Sequence, residues 1–181
     1  MIDASHPTKG ALVHRTTILA TFLAALVLTT AAIASTVPGA NIARAEVGPY
    51  TTPHTGVVAD AGVSAHAQVI STPSGRTVLR VTAEGLAPSG SYAVHVHDGA
   101  CTDYLGHYRY DPAAPSSREN EIWLDLDANA AGQAADQVRV AAFDLDQSLS
   151  LVIHQHSNPD VGPGAGPPGP RIACGNLELI R

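Results

Sequence analysis

Seven short segments that favour extended backbone are separated by Gly/Pro turns at near-regular spacing, and this constrains the fold more than anything else in the chain. The segments are 63–71, 76–86, 91–97, 119–127, 133–143, 149–156 and 171–180. "TPSG", "APSG" and "ANAAG" break them. Within 119–127, Ile122, Leu124 and Leu126 recur at every second position and share one face, the period-2 signature of a strand. The alanine-rich stretch "DANAAGQAADQVRVAA" competes as a helix, but Gly132 and the alternation of Val138 and Val140 favour a strand. Many short strands with such turns predict an all-β sandwich or barrel. Two stretches, 98–118 and 157–170, lack strand pattern. Loops of that length in a compact domain commonly carry function.

The N-terminus reads as an export signal. Lys9, His14 and Arg15 precede the apolar run "ILATFLAALVL" at 18–28. Ala43-Arg44-Ala45 fits a cleavage site before Glu46, and Ala32-Ile33-Ala34 is a second candidate. The expected organisation is a signal peptide at 1–45, a flexible arm at 46–61 and a β domain at 62–181. The chain is then secreted or held in the cell envelope. Residues 46–181 hold seven arginines, no lysine and fifteen acidic groups, a formal charge of −8. That balance argues against nucleic acid and anionic membranes as partners. Nothing in the sequence fixes an oligomeric state.

The chemistry concentrates in "SYAVHVHDGACTDYLGHYRYDP" at 91–112. Residues two apart on a strand share a face, so His95 and His97 form a ready chelating pair. Two buried imidazoles need two sets of partners, which weakens the reading of plain core residues. His107 follows in the loop, and "VIHQH" adds His154 and His156. Imidazoles without a thiolate suit copper or zinc. His66 reads as an ordinary strand residue, and His54 lies in the arm. His156 is open between spare ligand, surface residue and proton relay. Cys101 and Cys174, 73 positions apart, form either a disulfide or a pair of soft metal ligands. As a disulfide, loop entropy predicts about 4 to 4.5 kcal/mol of stabilisation.

"GLAPSGSYAVHVHDGAC", "GHY…DP", "SLVIH" and "GPRIACGN" occur in the order of secreted copper/zinc superoxide dismutases, and residues 62–181 resemble that family. The resemblance implies an eight-stranded Greek-key β-barrel. It implies copper ligation by His95, His97 and His154, with His107 as the bridging-type histidine. It further implies a Cys101–Cys174 disulfide and Arg171 as the arginine that meets the superoxide anion. The family's further zinc ligands are missing, since "YRYDPAAPSSR" holds no histidine and Asp111 alone does not make a closed four-ligand site. The pattern resembles copper-only members, with copper expected and zinc not. In such members an acidic side chain holds the bridging-type histidine, and Glu119 or Glu121 is expected in that role. The loop between His154 and Arg171 carries no lysine or arginine, unlike the family's positively charged guidance loop.

Overall fold

In the computed structural model, residues 39–158 and 169–180 are described. They form nine strands: β1 Asn41–Pro49, β2 Ser64–Ser71, β3 Arg76–Glu84, β4 Ser91–Asp98, β5 Trp123–Asp127, β6 Ala134–Ala141, β7 Leu149–His154, β8 Arg171–Asn176 and β9 Glu178–Ile180. Pairing is antiparallel in the order β5-β4-β7-β8-β1-β2-β3-β6, with β9 beside β1. The all-β class holds, as a nearly closed eight-stranded barrel. Its two end strands are joined by the Asp125 amide donating to Asp136 Oδ2 at 3.0 Å. Among the described residues, no helix is long and apolar enough to cross a membrane.

Alternation builds the interior. Val69, Leu79, Val81, Val94, Val96, Leu124, Leu126, Leu151 and Ile153 are fully buried in one cluster. The alanine-rich stretch is strand β6, as its valine alternation predicts. β4 and β7 are buried on both faces. Val94 and Val96 face the barrel core, so His95 and His97 face outward and need a second cover. The connection from β4 to β5 supplies part of it.

The arm expected at 46–61 is corrected. Glu46–Pro49 belongs to β1, and the rest is tied to β8. Tyr50 and Asp60 amides donate to the Ile172 carbonyl, and the Arg171 amide donates to Gly56. β1 therefore begins at Asn41, inside the segment expected to be cleaved. A cut after Ala45 would remove Asn41–Ala45 from a strand paired with β2 and β9, with Ala43 and Ala45 in the core. Cleavage near Ala32-Ile33-Ala34 leaves β1 whole. Of the signal peptide expected at 1–45, residues 1–38 lie outside the described residues.

Cys101 and Cys174 form a disulfide with Cα atoms 5.9 Å apart. It pins the loop carrying His107 to β8, whose first residue is Arg171. Thiol titration of unreduced, denatured protein is expected to detect no free thiol. Two reactive thiols would show the bond does not form in solution.

Candidate metal centre

Four histidines converge on the outer face of β4 and β7. His95 pairs with Val152 across the ladder, so His154, two residues on, shares its face. A bulge at Ile153/His154 shifts that last residue. His107 arrives from the loop through a bridge to His97, fixed by the Tyr108 amide donating to Val96 (2.9 Å). One nitrogen from each of His95, His97, His107 and His154 lies within 4.8 Å of every other. His95, His97 and His154 are buried.

The outer nitrogen of each ring meets an acceptor. His97 Nδ1 is 3.0 Å from the Leu105 carbonyl and His154 Nδ1 is 3.0 Å from the Gly169 carbonyl. His107 Nδ1 is 2.6 Å from Glu121 Oε2. His95 Nε2 meets Asn158 Oδ1. The Asn158 amide nitrogen donates to the Leu124 carbonyl (2.7 Å) and Asp125 Oδ1 (2.5 Å), which fixes its oxygen toward the ring. Carbonyls and carboxylates only accept, so each outer nitrogen carries the proton. The inner nitrogens, His95 Nδ1, His97 Nε2, His107 Nε2 and His154 Nε2, are then lone pairs. His95 Nδ1 and His107 Nε2 stand 2.7 Å apart, and His97 Nε2 and His154 Nε2 stand 3.2 Å apart. Neutral lone pairs at those distances repel. A cation between them turns the repulsion into ligation, and outward hydrogen bonds of this kind orient metal-binding imidazoles.

The electrostatics favour the same state. Burial first, then the charge of neighbouring His107, lowers His95 to about 3. Burial likewise lowers His154 to about 4 and His97 well below its usual value. These rings are neutral at physiological pH, the form that ligates. Burial pushes the Glu121 carboxyl up, but hydrogen bonds from His107, Ser116 and Trp123 outweigh it and hold it at about 2. Its Oε2 accepts from Trp123 Nε1 at 2.6 Å and its Oε1 from Ser116 Oγ at 2.5 Å.

The acidic partner of His107 is therefore Glu121, and Glu119 is corrected: it points into solvent while Glu121 is buried beside the ring. Asp111 stays outside the cluster, accepting from the Ala113 amide. The His156 side chain is exposed and not among the four. Arg171 is buried near the cluster, its charge felt by His97 and His154. Its Nη1 donates to the Tyr50 hydroxyl (3.3 Å) and its Nη2 to the Leu105 carbonyl. Residues 159–168, most of the loop between His154 and Arg171, lie outside the described residues.

Asn158 and Trp123 went unnoticed in the sequence. Asn158 sits four residues after His154 in a segment that reads as plain loop, and asparagine is ordinary there. Trp123 had one signal: it breaks the alternation, standing with Glu121 and Asp125 on the face opposite Ile122, Leu124 and Leu126.

No sequence-family model and no curated protein matches the chain. Among solved structures, the clock protein EA4 superposes with a TM-score of 0.56 at 14% identity, over 77% of this chain and 94% of that one. A double mutant of a SOD-like protein from Bacillus subtilis superposes with a TM-score of 0.52 at 14% identity, over 74% and 95%. At that identity the likeness is one of fold: this chain shares its β-barrel with these structures, and on its outer face stand four histidines able to hold a metal ion.

Proposed function

We propose that the chain is an exported, copper-dependent superoxide dismutase of the type that lacks a zinc site. The observation that carries this reading is the ring of four inward lone pairs, three backed by neutral acceptors and one, His107, by a buried carboxylate. An all-imidazole set suits copper. Bound copper would supply one-electron exchange with superoxide, first as oxidant and then as reductant.

The chain's residues do the rest. His95, His97 and His154 hold the ion. His107 is the one ring with an anionic partner, so its Nε2 is the atom suited to take up and release a proton while Nδ1 stays on Glu121. Arg171 meets the anion by charge-assisted hydrogen bonding. The disulfide supports export, since such bonds persist outside the reducing cytosol.

A second reading, copper binding without useful turnover, draws on Arg171 itself. Its guanidinium already donates to Tyr50 and Leu105. Metal analysis and superoxide decay on the same preparation decide between them. The expected result is about one copper per chain, no stoichiometric zinc after loading with both metals, and decay well above the buffer control. Near-equal copper and zinc would sink the zinc-free assignment. Bound copper with decay at the control rate would leave the binding reading.

A further inference from the structure

Tyr104 lies between Cys101 and His107 and has no place among the four ligands. Its backbone sits at φ 52°, a left-handed conformation uncommon for a bulky residue, which persists only where the surroundings hold it. His54 stacks on its ring, centroids 3.4 Å apart and planes 22° from parallel. The Arg171 guanidinium carbon lies 3.8 Å from the same centroid. Two groups so close to one ring occupy opposite faces. A methyl group at Gly56 would overlap the Tyr104 hydroxyl, so the tip of the ring rests against the backbone of the strap, the segment 50–61 that is tied to β8. The strap is itself fixed, with the Val57 amide on the His54 carbonyl (3.0 Å) and the Val58 amide on the Arg171 carbonyl (3.0 Å).

Beneath this cap, Arg171 retains little freedom. One face is shut by the ring, and both terminal nitrogens already donate once. A tetrahedral oxyanion is gripped by two parallel N–H groups with free space around them. A diatomic anion needs one.

We infer that Tyr104, clasped by His54 and Gly56, is a specificity-determining residue: it positions Arg171 so that the guanidinium serves small anions and refuses those the size of phosphate. This rests on the reading of Arg171 as the anion contact.

The test is phenylglyoxal modification of the full chain, apo and copper-loaded, with Arg171 followed by peptide mass spectrometry against exposed Arg76. Inorganic phosphate is the probe for a large anion. In the parent, Arg171 should react slowly and phosphate should change nothing. Tyr104→Ala should react about tenfold faster, the scale of a desolvated cation–π contact, and phosphate should protect it. Tyr104→Phe keeps the ring and should stay slow. Gly56→Ala displaces the ring without altering it and should react faster, with near-UV circular dichroism reporting the fold. Phosphate protection of the parent overturns the inference and needs no variant. So does a Tyr104→Ala or Gly56→Ala protein in which Arg171 stays slow, or a Tyr104→Phe protein in which it becomes fast. A parent that shows the expected pattern but no dismutation sinks the activity and leaves the anion selection standing.

Discussion

Glu121→Ala is expected to destabilise the apo protein by roughly 3–5 kcal/mol and to weaken copper binding by about 10–100-fold. The carboxylate accepts from His107, Trp123 and Ser116, and all three donors lose their partner at once. Each buried donor left unpaired costs about 1–3 kcal/mol, whereas Ser116 is exposed and turns to water at little cost. The affinity loss has a separate cause. Without Oε2 the His107 ring loses the acceptor that fixes its proton on Nδ1, so Nε2 no longer presents a lone pair by default. Glu121→Gln keeps the volume and one acceptor oxygen but removes the charge, and should fall between parent and alanine variant. Glu119→Ala should match the parent in both measurements, since its side chain is exposed. Urea unfolding of the apo protein and chelator competition for copper read the two effects independently. Copper affinity unchanged in Glu121→Ala would show that the carboxylate does not orient the ligand.

The sequence and the structure part company at particular residues. His95 and His97 were legible because strand periodicity puts them on one face, whereas His154 rested on the family resemblance, since the same period would have included His156, which is exposed. His107 was a candidate by its nearness to the pair, but its bridging-type role came only through the resemblance, since nothing local says which way a loop turns. Glu119 and Glu121 lie two apart and share a strand face on paper, so period cannot choose between them. The choice falls to tertiary cover: Glu121 bridges to Arg109 under the loop, while Glu119 precedes the strand at an exposed turn. β1 was missed for a physical reason. Its core-facing residues are Ala43, Ala45 and Val47, and small residues at alternate positions are also the mark of a cleavage site. The strap at 50–61 offered no periodicity at all, since its hydrogen bonds run to β8 and depend on a partner more than a hundred positions away.

Arg171→Ala should lower the superoxide rate constant by tenfold or more, about what a charge-assisted hydrogen bond contributes, while leaving copper stoichiometry intact. The guanidinium hydrogen-bonds to Tyr50 and Leu105 and packs on Tyr104, and its nitrogens are not among the converging donor atoms, so its loss reaches the anion before it reaches the metal. His97→Ala should do the reverse, because it deletes one of four converging nitrogens and copper content should fall with the rate. Arg171→Lys should recover part of the rate, since it returns the charge without the planar fork. Ionic strength adds a further discrimination. Residues 46–181 carry a formal charge of −8, and restoring Arg44 with the rest of β1 changes that by one unit. The long-range field still repels superoxide, so added salt should leave the parent rate constant flat or raise it, whereas a positively steered site slows with salt. Pulse radiolysis of copper-loaded parent, Arg171→Ala, Arg171→Lys and His97→Ala at two ionic strengths measures all of this. A rate constant for Arg171→Ala equal to the parent's would remove the arginine from anion handling. A parent rate that falls steeply with salt would mean that a local positive field, absent from the net charge, governs approach.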